Sequence, residues 1–299
     1  MFNWFKKEAP LKALAGMGGG VGRGGVASVD VEIHMYGGKS NEGGRGGDSP
    51  YGGWTTISGT ATPGTTIAYI CGRAAGGQAF YDGGPGSGNA GRKGGGFTAV
   101  WVGGSSIAPV ARDSNYILGV AGGSGAGGND GYGDCRGGYG GGPVGGDCPE
   151  NPDVNLGGGG GTQSGGGSGG GPAPWGGQWY GGNGHPGNEN TGGGGGGWWG
   201  GGGGGSNNSF DSGGGGGSGY TGSTPRTLEN PYGTFEVTGG QTSAGGYPGP
   251  GAPGPVGSAY PHTGNHPATV GRVYIIVDGV EVHDGTSSPG SAAATFTIP

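Results

Sequence analysis

Short stretches of alternating apolar and polar residues are spread along this chain, and such alternation predicts β-strands. The clearest is Ser28–Tyr36, in which the apolar residues share one face and the polar residues share the other. Near the end, Arg272–Val277 and Val280–His283 flank Asp278-Gly279, a dipeptide typical of a two-residue hairpin turn. Further candidate strands are Trp54–Gly59, Thr65–Gly72, Phe97–Val102, Asn115–Ala121 and Ala293–Ile298.

Glycine-dominated tracts separate these stretches. Because each glycine weakens a helix or strand by about 0.5–1 kcal/mol relative to alanine, both are poor fits for the tracts. The extended left-handed helix with about three residues per turn accepts glycine and proline alike. The tracts lie near 16–25, 37–53, 83–96, 122–147, 157–171, 176–187, 192–205 and 213–219, and a proline-rich tract follows at 245–257.

Composition narrows the possible architectures. Of 299 residues, 95 are glycine and 21 are proline, which is typical of low-complexity or disordered chains. The 27 aromatic residues (7 Trp, 13 Tyr and 7 Phe), many of them inside glycine tracts, argue against disorder. Unbroken runs such as Gly157–Gly161 and Gly192–Gly197 exclude the triplet repeat of collagen. With so few aliphatic residues, we do not expect an ordinary apolar core.

Backbone contact between glycine segments is the alternative source of cohesion. Extended glycine helices lying side by side can exchange N–H···O bonds, and close approach requires glycine on every face that meets a neighbour. Gly201–Gly205 suits the centre of such a bundle, and Gly43–Asp48 suits its rim. We therefore predict a mostly β and irregular fold, in which a bundle of polyglycine II helices carries a β-sandwich or β-sheet jacket.

The composition also divides the chain into four parts. Residues 1–15 are aromatic and basic, and we interpret them as an N-terminal docking peptide; a strap across the protein's own fold is the alternative. Residues 16–238 form the glycine-rich body, 239–267 a Pro/Gly-rich segment and 268–299 a C-terminal β tail. The apolar residues predicted to dock are Phe2, Trp4, Phe5, Leu11 and Leu14.

Nothing in the sequence predicts a catalytic or cofactor site, so we expect a non-enzymatic protein with no cofactor and no metal. Gly-x-Gly-x-x-Gly strings recur, but no predicted helix follows any of them, as a dinucleotide site requires. His262 and His266 are four apart, yet Pro261, Gly264 and Pro267 exclude the helix that would pair them as metal ligands. Scattered basic residues and a net charge of −6 do not suggest nucleic acid.

Aromatic residues within the glycine tracts are the candidate binding groups. A lattice of glycine excludes their side chains, so they must lie at tract ends or on the rim, either packed against the sheets or exposed for recognition of a sugar or protein. Cys135 and Cys148 lie in matching Gly-Asp-Cys triplets and could form a disulfide or remain thiols. The candidate aromatic residues are Trp175, Trp179, Tyr180, Trp198 and Trp199.

The order of these segments resembles a recurring glycine-rich domain across roughly residues 26–220. The pieces that carry the likeness are Tyr116–Gly123, Gly157–Gly167, Gly192–Gly205 with its Trp pair, and Ser212–Tyr220. The domain occurs in virion proteins of tailed bacteriophages, including tail-fibre adhesins with stacked polyglycine helices, and in the ectodomain of anaplastic lymphoma kinase-type receptors. The chain shows no signal peptide, membrane helix or kinase, which favours the phage setting.

The resemblance implies a role in a virion. We expect a tail-fibre or tail-tip adhesin that contacts a host surface protein or glycan, made in the host cytoplasm and carried on the mature particle. A capsid or tail decoration protein with a purely structural role is the alternative. The expected partners are other virion proteins, reached through residues 1–15, with no membrane span. Phage fibres are often trimers, so a homotrimer is one candidate assembly and a monomer is another.

Overall fold

A computed structural model describes most of the chain between residues 27 and 299. The described residues are 27–40, 50–72, 92–104, 116–128, 136–149, 156–186, 190–207, 210–245, 271–285 and 293–299. The docking residues Phe2, Trp4, Phe5, Leu11 and Leu14, the His262/His266 pair and Cys135 lie outside these ranges, as does the predicted rim segment Gly43–Asp48.

Within these ranges the protein is mostly β-sheet, with no helix, and its ten strands form two antiparallel sheets. The six-stranded sheet has the order β6-β7-β2-β1-β8-β9, and the four-stranded sheet has the order β10-β3-β4-β5. The strands are β1 (Val29–Tyr36), β2 (Trp54–Ala61), β3 (Thr66–Ile70), β4 (Thr98–Val102), β5 (Ile117–Ala121), β6 (Arg226–Asn230), β7 (Gly233–Ser243), β8 (Arg272–Val277), β9 (Val280–Gly285) and β10 (Ala294–Thr297).

The predicted strands are all present, and the hairpin at Asp278-Gly279 is confirmed. Asp278 has φ 48° and Gly279 has φ 79°, the two positive values that a type I′ turn needs. The strands β6 and β7 were not predicted, although Thr234–Thr238 alternates and directs Phe235 and Val237 into the core. β8 and β9 extend the sheet of β1, and β10 pairs with β3, so residues 268–299 contribute strands to both sheets.

An apolar core lies between the two sheets, and the expectation that there would be none is wrong. The alternating residues of β1 point inward, as Val31, Ile33 and Met35, and meet residues such as Val100 and Leu118 from the facing sheet. The few aliphatic residues are concentrated in the strands, on one face of β1, β2 and β7 and on both faces of β3, β4, β5 and β8, which is why a low overall content still forms a core.

Several glycine segments adjoin the sheets directly at strand ends. Residues 37–40 follow β1, residues 122–128 follow β5, and residues 92–96 lead towards β4. Gly37 donates to the carbonyl of Gly53, and Gly53 donates to that of Gly122, each at 2.8 Å. The segments therefore begin side by side, in an arrangement that the sheets impose.

Candidate functional site

Segment 200–205 lies at the centre of the glycine-rich region and donates its amides in three directions in rotation. The six N···O distances lie between 2.8 and 3.1 Å. Residues three apart in segment 200–205 donate to the same neighbouring segment, and the residues that accept from them are also three apart. Gly200 and Gly203 donate to Gly177 and Pro174, Gly201 and Gly204 to Gly195 and Gly192, and Gly202 and Gly205 to Gly159 and Leu156.

The carbonyls of the same six residues accept from three further segments, again with a repeat of three. Segment 167–170 donates to Gly200 and Gly203, segment 182–185 to Gly201 and Gly204, and segment 212–215 to Gly205 and Gly202. Segment 200–205 therefore has six neighbours and a partner for every backbone amide and carbonyl, as buried polar groups require.

The six neighbours also contact one another, so they close a ring around segment 200–205. Gly194 donates to Gly182, Gly176 to Gly167, Gly159 to Ser168, Gly158 to Gly213, and Gly195 to Gly215, at 2.8–3.0 Å. The remaining contact, between 174–177 and 182–185, is so close that a Cβ on Gly182 would lie 2.3 Å from the Pro174 carbonyl oxygen.

Only glycine fits segment 200–205. A Cβ built on any of its residues would lie 1.7–2.2 Å from the carbonyl oxygen of a neighbouring segment. Segment 212–218 is surrounded in a similar way, since its amides and carbonyls bond to segments 199–205, 123–126, 192–198, 158–161 and 138–141 and to Gly146. The backbone takes the place of side-chain packing in both segments.

Three consecutive members of the ring face outward, and we call segments 165–171, 174–177 and 180–186 the outer rim. Every third residue of 180–186 is exposed, whereas glycines 181, 182 and 184 are buried. Trp175 is 68% exposed and Tyr180 is 52% exposed. The other exposed rim residues are Ser168, Gly171, Pro174, Asn183 and Pro186.

A tight turn at residues 177–180 joins two rim segments and separates two neighbouring aromatic side chains. Gly177 and Tyr180 exchange backbone hydrogen bonds, of 3.0 Å from the Gly177 amide and 3.4 Å from the Tyr180 amide. Trp179 has φ 77°, an uncommon value for a bulky residue. Its side chain is 3% exposed, whereas that of Tyr180 faces solvent.

The buried ring of Trp179 belongs to a row of aromatic contacts between the four-stranded sheet and the glycine segments. The row begins at Phe97 and ends at Arg226, whose guanidinium lies 5.8 Å from the Tyr220 ring centroid and donates to the carbonyls of β5. Centroid distances are 5.2 Å for Phe97–Trp179, 5.1 Å for Trp179–Trp198 and 4.0 Å for the stacked Trp198–Tyr220 pair.

The predicted exposed aromatic residues therefore divide into three groups. Trp175 and Tyr180 are exposed, and Trp198 and Trp199 are half-buried. The expectation of exposure is wrong for Trp179, because its positive φ turns the side chain inward onto Phe97. Packing against the sheets, the alternative weighed for these residues, describes Trp179 and Trp198.

Cys148 is buried, and its thiol donates to the Arg136 carbonyl at 3.0 Å. The pairing with Cys135 stays a prediction, because that residue lies outside the described ranges.

Titratable groups gather on the β8–β9 hairpin and on the neighbouring residue Tyr69 of β3. His283 Nε2 and the Tyr69 hydroxyl are 2.8 Å apart, and burial lowers the pKa of His283 and raises that of Tyr69. Arg272 donates to Asp284 through Nε at 2.6 Å and also through its terminal nitrogen. Burial raises the pKa of Tyr274 to about 12. No group of three metal-ligating side chains occurs in the described part of the chain.

The sequence indicated the glycine tracts and the aromatic residues, but not the turn at residues 177–180 that buries Trp179 and exposes Tyr180. Gln178 and Trp179 occupy turn positions where glycine or asparagine would be expected, so no local signal marked the turn. Phe97 and Tyr220 were not recognised as partners of the Trp residues, since they are distant in sequence.

Comparisons with family models, with curated proteins and with solved structures find no match to this chain. The ranges that the structure describes contain no long apolar helix of the kind that crosses a membrane.

Proposed function

We propose that the glycine segments are polyglycine II helices, packed as a bundle that the two sheets hold at one end as a jacket. The support is the repeat of three in the hydrogen bonds of segment 200–205. A helix with three residues per turn directs successive amides at about 120° intervals, so residues i and i+3 meet the same neighbour. Six neighbours around one segment are what a hexagonal array of such helices provides.

We propose further that the protein is a virion structural protein of a tailed bacteriophage, acting without catalysis as a tail-fibre or tail-tip adhesin that attaches to a host surface. The observation that carries this proposal is a backbone-bonded scaffold with two strongly exposed aromatic side chains, Trp175 and Tyr180, on its rim. Rigid aromatic residues supply contact area at a low cost in conformational entropy, which suits a recognition surface.

Within this proposal the remaining parts have distinct roles. Residues 1–15, with their aromatic and basic composition, attach the protein to other virion components. The two sheets fix where the adjoining glycine segments begin, because segments 37–40 and 122–128 continue from the strand ends at Tyr36 and Ala121. The bundle then holds the rim in one geometry when the particle meets a cell.

Binding of labelled protein to intact bacterial cells tests the attachment function. We expect wild-type protein to label cells of a susceptible strain and to compete with phage adsorption. Trp175→Ala combined with Tyr180→Ala should abolish both effects. Tyr232→Ala, which removes an exposed aromatic ring in the β6–β7 turn, should abolish neither.

Antibody labelling of particles locates the protein and separates the two virion roles. Label at a fibre or tail tip is expected of an adhesin. Label spread evenly over the shell, together with no effect on adsorption, would instead assign the chain to decoration.

A further inference from the structure

We propose that the outer rim binds an uncharged glycan, with Trp175 and Tyr180 stacking on the faces of sugar rings. This inference rests on the proposed attachment function and specifies the ligand class of the same surface. Aromatic rings present a broad apolar face, and the C–H groups of a pyranose ring present another that matches it.

The absence of charge on the rim selects this ligand class. Residues 154–188 contain no Asp, Glu, Lys or Arg, although the whole chain has 19 acidic and 13 basic residues. Charged polysaccharides and phosphate groups are normally held by Arg or Lys, and neither occurs there. A neutral sugar needs no counter-charge, and any charge left without a partner would weaken its binding.

Polar groups beside the aromatic rings suit hydroxyl groups of a sugar. Asn183 follows Tyr180 by three residues on the same exposed row, and Ser168 is exposed on the rim segment at the other side of 174–177. At about 3.1 Å per residue, positions three apart on such a helix are about 9.3 Å apart. This spacing is comparable to a disaccharide unit in an extended chain, so one unit meets Tyr180 and the next meets Asn183.

Backbone hydrogen bonds hold the chain that carries Trp175, and the Tyr180 ring lies against the backbone of Gly177. Trp175 lies between Pro174, whose carbonyl accepts from Gly203 at 3.1 Å, and Gly176, whose amide donates to Gly167 at 2.9 Å. The Tyr180 ring lies so close over Gly177 that a Cβ there would be 2.2 Å from the ring. The backbone of the binding surface and the Tyr180 ring are therefore positioned before the ligand arrives, which lowers the entropy lost on binding.

A protein partner fits the rim less well. The cores of protein interfaces are enriched in Arg and Met together with aromatic residues, and their area is commonly about 800 Å² per partner. The rim combines its aromatic rings with glycine, proline, serine and asparagine instead. Its middle segment, 174–177, is only four residues long, which is a small area for a protein interface.

Affinity electrophoresis with defined polysaccharides tests the inference directly. The probes are dextran, mannan and hydroxyethylcellulose, which are uncharged, and alginate, which is anionic. We expect at least one uncharged probe to retard the wild-type protein and Trp175→Ala with Tyr180→Ala to bind at least about tenfold more weakly. Tyr232→Ala should migrate as wild type. Retardation by no uncharged probe, or by alginate alone, would overturn the inference.

Gly177→Ala tests whether ring position matters, because it keeps both aromatic residues while the atoms nearest its new Cβ, the closest at 2.2 Å, belong to the Tyr180 ring. We expect weaker retardation with an unchanged thermal unfolding midpoint. Unchanged retardation by a folded Gly177→Ala protein would contradict a positioned Tyr180 ring and with it the stacking proposed here.

Treated cells separate this inference from the attachment function. Periodate cleaves vicinal diols of sugars, so we expect it to remove cell labelling, whereas proteinase K should leave labelling intact. Labelling that resists periodate and is lost with proteinase K would overturn the glycan inference and leave attachment standing. Retardation by an uncharged probe without labelling of any cell would support the glycan inference and overturn the attachment function.

Discussion

Replacing Gly202 by alanine tests whether backbone contact holds the bundle together. The new Cβ would lie 1.9 Å from the carbonyl oxygen of Ser168, whereas Cβ contacts under 3.0 Å essentially do not occur. Segment 167–170 must therefore move away by at least 3.0 − 1.9 = 1.1 Å. No flexible side chain can yield instead, because the obstructing atoms belong to the backbone.

The size of the effect follows from the hydrogen bonds that this movement breaks. Gly167 and Gly170 donate to Gly200 and Gly203 at 2.9 Å, and a shift of 1.1 Å extends both N···O distances to about 4 Å, beyond hydrogen-bonding range. Each buried group left unsatisfied costs about 1–3 kcal/mol. Alanine recovers about 0.4–1 kcal/mol by restricting the unfolded chain. Counted as one unsatisfied group for each of the two broken bonds, the cost is about 2–6 kcal/mol, so we expect a net loss of about 1–6 kcal/mol in the free energy of unfolding.

Urea unfolding followed by tryptophan fluorescence measures this loss, and Gly165→Ala is the matched control. A Cβ on Gly165 would meet nothing within 4 Å, so only the effect on the unfolded chain remains. The control should be neutral or more stable by up to about 1 kcal/mol. Free energies of unfolding within about 0.5 kcal/mol of each other for the two variants would refute the argument that contact between glycine backbones stabilises this region.

Three further substitutions probe the sheets and their junction with the bundle. Trp179→Ala removes the middle of the aromatic row and should destabilise the protein by about 3–5 kcal/mol, measured by urea unfolding; a loss below 1 kcal/mol would show that the row does not join bundle to sheet. Ile275→Ala in β8 empties a buried site beside β1 and should lower stability by about 2–5 kcal/mol in the same assay. The raised pKa of Tyr274, about 12 against 10 unfolded, means that its contribution to stability is complete below pH 10 and is lost as pH rises towards 12. Unfolding measured from pH 9 to 12 should therefore show a shallower decline for Tyr274→Phe, and an identical decline in both proteins would contradict the assignment.

The sequence predicted the strands better than their arrangement. Alternation in Ser28–Tyr36 and the Asp278-Gly279 turn are local signals, and local physics determines both. The β6–β7 hairpin was missed because its turn, Pro231-Tyr232, carries no glycine and the second strand contains Gly239-Gly240. The apolar core was missed because overall composition hides the concentration of aliphatic residues in short strands.

For the candidate site, the sequence indicated which residues to consider but not which way they face. The all-glycine segment Gly201–Gly205 was predicted to suit a centre, and six neighbouring segments surround it. The inward turn of Trp179 depends on a backbone conformation that only its contacts with Phe97 and Trp198 explain. Contacts between residues so far apart in sequence leave no local pattern to read.

The position of β1 between β2 and β8 has a consequence for synthesis on the ribosome. Tyr36 and Val277 are separated by 277 − 36 = 241 residues, so β1 waits roughly 10–50 s for the strand that completes its second edge. During that time its unpaired amides and carbonyls can recruit another nascent chain. A transcript truncated shortly before β8 would therefore yield aggregates rather than a smaller folded product.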